Sequence, residues 1–442
     1  MFLCILLSLK NTPLGHIAKV SHLELNILHR VTGYTTVALV LLHAGLYTWY
    51  RGRIGYWSRL IIPANLAGIG ACVSMLILGM GIWRHRNYKL FYFSHVGGCI
   101  AALGLAYLHR PNYLKKFPFI LLFGALIWIM DRFIRAASMS RNALNNHVTL
   151  HPLPGDAIRV LLKQPNNKHI LPGSHCFLWI PCVNIATNHP FTIVSNGPAG
   201  LELVVRPLQG FTRKTFQYAC ASPGSRVIAS IDGPYGSCPE LDDFDKAVLI
   251  AGGSGAAYTV GLVNRALARR PELSLENACF IWTVRHTVHL SWFYEHLCRF
   301  ARHGLKIVIY ITNEASASSP DEVVRAALED SRIELQNTVK TRLLSKQNTS
   351  SYETITEYTD IEMRLDDASD NDDQGLDGSA QFHYRRMRPE NDITHIMKPS
   401  DRADKVLVAA CGPTSLMDAV TDSVDTWRDT RNIDLHCESF GE

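Results

Sequence analysis

Three stretches of this chain, 31–50, 60–83 and 90–109, contain no Lys, Arg, Asp or Glu. Each reaches the roughly 20 residues that a helix needs to cross about 30 Å of hydrocarbon. A fourth apolar stretch, 117–130, is shorter but continues through Phe133 and Ile134. In lipid an isolated strand would leave its backbone groups unpaired, so helices are the expected form and four spans are expected. Residues 1–9 are apolar but too short to cross. Lacking a basic leader and a small-residue cleavage site, they read as the tail of a helix that starts before this sequence and not as a signal peptide. Arg and Lys occur in the loops on both sides (Arg51, Arg53 and Arg59; Arg84, Arg86 and Lys89; Lys115 and Lys116), so charge alone does not orient the bundle.

The charge balance follows from this layout. Residues 1–140 hold fourteen Lys and Arg but two acids, Glu24 and Asp131, whereas the remainder holds 30 bases and 37 acids. The formal +5 of the 442 residues therefore joins a basic first third to an acidic remainder. A single uniform globular domain is excluded, and a nucleic-acid partner is not implied.

Four histidines mark the apolar third: His29, His43, His95 and His109. Both pairs, 29 with 43 and 95 with 109, are 14 residues apart. At 1.5 Å per residue that is about 21 Å along an axis, and the angular offset of about 40° keeps each pair on one helix face. Two such helices facing each other create two His–His sites stacked across the bilayer, the arrangement that two haems with bis-imidazole ligation require. The alternative is that the imidazoles hydrogen-bond between helices or sit at the headgroup boundary. An imidazole inside a membrane helix is costly, and the repeated spacing favours ligation.

Beyond residue 141 the texture changes. Short β-like runs at 157–162, 176–180, 192–195, 202–206 and 226–231, punctuated by Gly and Pro, suit a small antiparallel barrel. From Lys246 strands and helices alternate: 247–251 leads into Gly252-Gly253-Ser254-Gly255 and a helix over 258–269. Strands follow at 280–284, 306–311, 405–410 and 433–437, which implies a parallel sheet with a nucleotide at its carboxyl edge. The dense acids of 352–377 predict a solvated insertion, extending over about 350–400. Eleven cysteines, an odd number without a CxxC pair, agree with a reducing compartment.

Several motifs lie in order along this chain: the histidine pairs, His189-Pro190-Phe191-Thr192, Asp232-Gly233-Pro234-Tyr235-Gly236, the glycine turn at 252–255, Trp282-Thr283-Val284-Arg285 and Cys411-Gly412-Pro413. Together they resemble the ferric reductase and NADPH oxidase superfamily, and most of all the fungal ferric-chelate reductases. The run His289-Leu290-Ser291-Trp292-Phe293 favours the metalloreductase branch. The family core has six helices, against four spans and a stub here.

The resemblance implies a multi-pass α-helical membrane bundle over 1–140. It also implies a ferredoxin-reductase-like module, with an antiparallel FAD-binding β-barrel over 141–240 and an α/β parallel-sheet NADPH domain over 241–442. It implies FAD, NADPH and two b-type haems as cofactors, the haems held by His29, His43, His95 and His109. His189, Pro190, Phe191, Thr192 and Ser195 would hold the flavin, and Arg206, Gly210 and Thr212 its pyrophosphate. Gly252, Gly253, Ser254 and Gly255 would cradle the NADPH phosphates, Arg285 the 2′-phosphate. Cys411 and Glu438, beside Gly412 and Pro413, would line the nicotinamide, and Phe440 would stack on the flavin.

The implied activity moves electrons from cytosolic NADPH across a membrane, the plasma membrane being expected, to an external ferric or cupric chelate, in support of metal uptake. Membrane lipid and a metal permease or a second copy of the chain are the expected partners, and nucleic acid is not. Superoxide production is the alternative within enzymes, and a non-catalytic membrane haem or flavin protein is the alternative outside them. With the flavin domain cytosolic, counting spans back from Arg135 puts His29 and His95 near the inner face. His43 and His109 then pair near the outer face.

Overall fold

The computed structural model describes residues 1–9, 22–79, 88–110, 116–163, 170–185, 187–198, 200–314, 319–346, 376, 379–397, 404–428 and 430–438. The chain divides into two compact units, Met1–Ser138 and Met139–Glu442.

The first unit is helical: α1 (Phe2–Ser8), α2 (His22–Arg53), α3 (Pro63–Gly79), α4 (Tyr88–His109) and α5 (Phe117–Asn145). Three segments among the described residues are long and apolar enough to cross a membrane: Leu25–Arg53, Leu90–His109 and Phe117–Leu144. Of the stretch expected over 60–83, residues 60–79 are described. Its described helix has 17 residues and starts at Pro63, after a 3-10 turn at Trp57–Ile61. A proline ring lacks the N–H that a first turn leaves unpaired, which makes Pro63 a natural start. Residues 80–83 lie outside the described residues. Outward side chains such as Phe93, Phe119 and Leu122 stay 73%, 70% and 67% exposed, a surface that water would not favour and lipid does. Close packing of α3 on α4 depends on glycine. A Cβ on Gly70 would stand 3.1 Å from Leu105, and one on Gly68 2.5 Å from the His109 ring.

The second unit opens with an antiparallel sheet of β1 (His147–Leu153), β2 (Ala157–Lys163), β3 (His175–Trp179), β4 (His189–Gly197), β5 (Gly200–Val205), β6 (Ser225–Ile228) and β7 (Ser230–Tyr235). The helix α6 (Phe211–Ala221) lies between β5 and β6. The order β6-β1-β2-β5-β4-β3-β7 puts the consecutive strands β6 and β7 at opposite edges. The single strand expected at 226–231 is therefore two. The chain turns at Ala229 so that Val227 pairs with Val148 and Ile231 with Leu178. Alternate residues, among them Val148, Leu150, Ile158, Val160, Leu162, Leu201 and Leu203, fill the core.

A parallel sheet follows, ordered β11-β10-β9-β8-β12-β13. Its strands are β8 (Lys246–Gly252), β9 (Ala278–Val284), β10 (Lys306–Ile311), β11 (Ala380–His383), β12 (Lys405–Cys411) and β13 (Asn432–Glu438). Its helices are α7 (Ala256–Arg269), α8 (Tyr294–Arg302), α9 (Pro320–Lys346), α10 (Pro389–Met397) and α11 (Thr414–Arg428). Strand order reverses between β8 and β12, and a crevice opens at the carboxyl ends of a sheet at such a point. The acidic insertion expected to reach about 400 ends earlier. Ala380–His383 pairs with β10, and Met387 and Ile393 are buried, so apolar side chains draw this segment into the domain.

Barrel and parallel sheet meet through a buried polar chain. Asn264 on α7 donates to the Val194 carbonyl at 2.7 Å and to His296 Nδ1 at 3.3 Å. His296 Nε2 in turn lies 2.9 Å from Glu202 Oε2, which also accepts from Ser195 at 2.7 Å. Arg159 Nε stands 3.1 Å from the other Glu202 oxygen. Burial alone would raise the Glu202 pKa, but His296 and Arg159 hold the carboxyl at about 2. Beside this chain, a Cβ on Gly261 would come within 2.5 Å of the Gly173 nitrogen, so α7 lies directly on barrel backbone.

Glu202→Ala leaves Arg159 and His296 buried without their carboxylate. It is expected to cost about 3–5 kcal/mol in chemical denaturation. Because the Glu202 pKa falls on folding, its contribution is full above its usual 4.5 and is lost as pH drops to about 2. Denaturation midpoints of the parent chain should fall across that window, and those of Glu202→Ala should fall less.

Candidate functional site

The structure brings His29 to His95 and His43 to His109. The ring centroids are 6.2 and 6.3 Å apart, with planes at 65° and 71°. Two metal–imidazole bonds of about 2.0–2.1 Å, plus the reach from each nitrogen to its ring centre, span about 6.3 Å. Each gap therefore has the width of one bis-imidazole metal centre. One ring of each pair is also oriented from behind. His29 Nδ1 lies 2.9 Å from the Cys4 carbonyl oxygen and His109 Nδ1 2.8 Å from that of Ala64. A carbonyl only accepts, so these Nδ1 atoms carry the proton and each Nε2 keeps its lone pair for a metal. Among the described residues no group of three or more His, Cys, Asp or Glu side chains is arranged to hold a metal ion, so neither imidazole pair has a third such ligand.

Arg51, two helical turns beyond His43, is a group that the sequence reading left among loop charges. Its guanidinium lies over the Tyr47 ring at 5.0 Å, and Tyr47 stacks on His43 at 6.3 Å. The 43, 47, 51 spacing on one helix face was the available signal.

In the barrel, the segment from His189 to Thr192 and the segment from Arg206 to Thr212 converge. The His189 ring stacks on Phe211 at 4.6 Å and 18°, and Phe191 approaches the same ring at 6.3 Å. Pro190 is exposed and Thr192 buried. Gly210 has φ +63°, a conformation that favours glycine, and precedes the first turn of α6. Thr212 Oγ1 accepts from the Leu208 N–H at 2.9 Å. Exposed Arg206 and the open N–H groups of α6 make a place for a diphosphate. Ser195, farther along β4, donates its hydroxyl to Glu202.

At the carboxyl edge of the parallel sheet, the turns after β8 and β12 interlock. A Cβ on Gly252 would lie 2.7 Å from Pro413 and 3.4 Å from Gly412, and one on Gly255 2.4 Å from the Cys411 carbonyl oxygen. The Trp282 indole donates to the Gly253 carbonyl at 2.9 Å and pins the turn from below. Ser254, inside that turn, is half-buried. Cys411 and Glu438 are ladder partners. Cys411 is fully buried, and burial together with Glu438 pushes its thiol far up, so it is a neutral, small lining group. Phe440 lies outside the described residues.

Arg285 is exposed just past β9. Around it stand residues to which the sequence reading assigned no role. Glu314 accepts from the Thr287 N–H at 3.0 Å and faces His286 Nδ1 at 3.0 Å. Burial, His286 and Arg206 bring His289 down to about 4, leaving it neutral beside Trp292, 4.6 Å away. His289 and Trp292 belong to the run at 289–293, whereas Glu314 follows β10 and joins them only in the fold.

The two glycines of the turn should respond differently to a methyl group. Gly255→Ala sets Cβ against backbone and should abolish the folded parallel domain. Gly253→Ala meets open space but has φ +55°, and should cost roughly 1–2 kcal/mol in thermal unfolding.

Known proteins align with this layout. The pattern described as the ferric reductase like transmembrane component matches residues 1–106, the FAD-binding domain residues 141–239, and the ferric reductase NAD binding domain residues 244–425. The probable cell surface ferric reductase kap2 of Aspergillus oryzae is 28% identical over 63% of this chain and 41% of its own. In Saccharomyces cerevisiae, ferric/cupric reductase transmembrane component 2 is 22% identical over 78% of this chain and 49% of its own. Ferric reductase transmembrane component 6 of the same yeast is 24% identical over 84% of this chain and 47% of its own. The chain thus spans about half the length of the curated relatives it matches. With matches to the ferric reductase like transmembrane component, the FAD-binding domain and the ferric reductase NAD binding domain in succession along its length, this membrane protein belongs to the ferric reductase superfamily.

Proposed function

We propose that this chain carries electrons from cytosolic NADPH across the plasma membrane to an external ferric chelate, with cupric chelates as a second acceptor. The observation that carries the reading is the two imidazole pairs, at 6.2 and 6.3 Å, on apolar helices of a chain that also holds flavin- and dinucleotide-binding domains. In this reading residues 1–140 hold two b-type haems, 141–240 hold FAD and 241–442 bind NADPH. His29 and His95 would hold one haem near the inner face and His43 and His109 the other near the outer face, and iron held by two imidazoles would favour electron transfer over binding of oxygen. FAD, when bound, divides a two-electron hydride into the single electrons that haems carry.

The remaining roles belong to side chains and backbone. His189, Pro190, Phe191 and Thr192 present backbone and an apolar ring to the flavin. Arg206, Gly210 and Thr212 receive its diphosphate through one cation and the N–H groups of α6. Gly252, Gly253, Ser254 and Gly255 admit the dinucleotide phosphates close to backbone, facing Gly412 and Pro413. Arg285 pairs with the 2′-phosphate, for which a planar cation with several donors is suited. Cys411 and Glu438 line the nicotinamide, the neutral thiol allowing close approach and the carboxylate favouring the positive ring that oxidation leaves. Phe440, outside the described residues, would stack on the flavin. The Aspergillus relative is named a probable cell surface ferric reductase, which supports the choice of membrane.

His43→Leu should remove one of two haems from the absorption spectrum and abolish ferric-chelate reduction by membranes, while NADPH still reduces FAD. Undiminished ferric reduction by that variant would refute the route, and superoxide in place of Fe(II) in the parent chain would assign oxygen as the acceptor. Gly68→Ala, whose Cβ would press on the His109 ring, should lower haem content in the same direction with FAD retained.

A further inference from the structure

Near Cys411 and Glu438, at the carboxyl edge of the parallel sheet, lies a buried polar atom with no partner among the described residues. Tyr258 lies on α7, three residues beyond Gly255, and is fully buried. Among the described residues its hydroxyl has no hydrogen-bond partner. Its ring stacks on His436 of β13, with centroids 6.0 Å apart and planes at 19°. His436 Nε2 is 3.6 Å from Glu438 Oε1, and Glu438 is the ladder partner of Cys411. From the barrel side comes Cys238, which, like Leu262 one turn along α7, faces Gly173. Burial, with Cys238, Glu438 and Cys411 nearby, pushes the hydroxyl far above its ordinary pKa, so it remains a donor.

A buried hydroxyl left unpaired destabilises a fold, and phenylalanine would avoid that loss. A ligand that supplies an acceptor accounts for the tyrosine. Glu438 beside it opposes an anion, so the phosphates belong at the glycine turn and the acceptor here is neutral. We propose that the Tyr258 hydroxyl donates a hydrogen bond to the carboxamide oxygen of the nicotinamide, holding that ring against Cys411 and Glu438. This rests on the NADPH reading above and adds a binding residue to it.

The test compares Tyr258→Phe with the parent, full chain in detergent, by titrating NADP+ and 2′,5′-ADP, which keeps the 2′-phosphate but lacks the nicotinamide. The Kd for NADP+ should rise about 3–10-fold, the weight of one neutral hydrogen bond. The Kd for 2′,5′-ADP and the FAD content should not change, and the unfolding temperature without nucleotide should not fall. A thionicotinamide analogue of NADP+ should bind more weakly than NADP+ to the parent chain and no more weakly to Tyr258→Phe. Equal NADP+ affinity in the two chains overturns the proposal. So does a loss of FAD or of unfolding temperature at unchanged NADP+ affinity, which would assign the hydroxyl to the flavin or to packing. If the variant does not fold, equal binding of the thio analogue and NADP+ by the parent chain overturns it. A parent chain that binds neither NADP+ nor 2′,5′-ADP removes the underlying reading and this proposal together.

Discussion

A neutral imidazole carries one N–H and one lone pair, and among apolar helices neither can turn to water. That requirement organises the first unit. The N–H of His29 is taken by the Cys4 carbonyl and that of His109 by the Ala64 carbonyl. Each Nε2 thereby keeps its lone pair, and a second imidazole stands 6.2 and 6.3 Å away, centre to centre. Gly68 has no side chain because the His109 ring occupies the space where a Cβ would stand. The start of α3, Gly68 and the short helix α1 thus set the His29 and His109 rings.

The second unit answers a different constraint. A dinucleotide and a flavin must meet at a junction of two separately built sheets, so the junction must hold its geometry. Glu202, buried between Arg159, Ser195 and His296, binds barrel to helix, and the contact of Gly261 with Gly173 brings α7 against backbone. On the far side of α7 the turns after β8 and β12 touch through Gly252, Gly255 and Pro413. One helix therefore sets both the domain contact and the crevice, and Tyr258 lies on it with a hydroxyl that has no partner among the described residues.

Much of this layout was legible because it rests on local periodicity. The apolar stretches, the 14-residue histidine spacing and the alternation of strand and helix beyond Lys246 each repeat within a window of residues. The errors fell where distant partners decide. The run 226–231 is uniform in sequence, yet it divides at Ala229 because its halves close opposite edges of the barrel. The β1 strand alternates Val148 and Leu150 with polar neighbours, a pattern present in the sequence and passed over. Residues 380–397 follow an acidic run and were merged with it, although Phe382, Met387 and Ile393 give them a place in the core.

By itself the sequence determined the division into an apolar helical third and a flavin- and dinucleotide-binding remainder, and the identity of the four paired histidines. Those features depend on residue type and spacing along one element. Only the tertiary structure decided that Ser195 serves the domain junction, that Arg51 reaches toward His43 through Tyr47, and that Tyr258 is left unpartnered beside Cys411 and Glu438. The physical reason is that hydrogen bonding and burial are settled between elements far apart in the chain. Whether a hydroxyl is satisfied depends on which backbone or side chain the fold delivers to it.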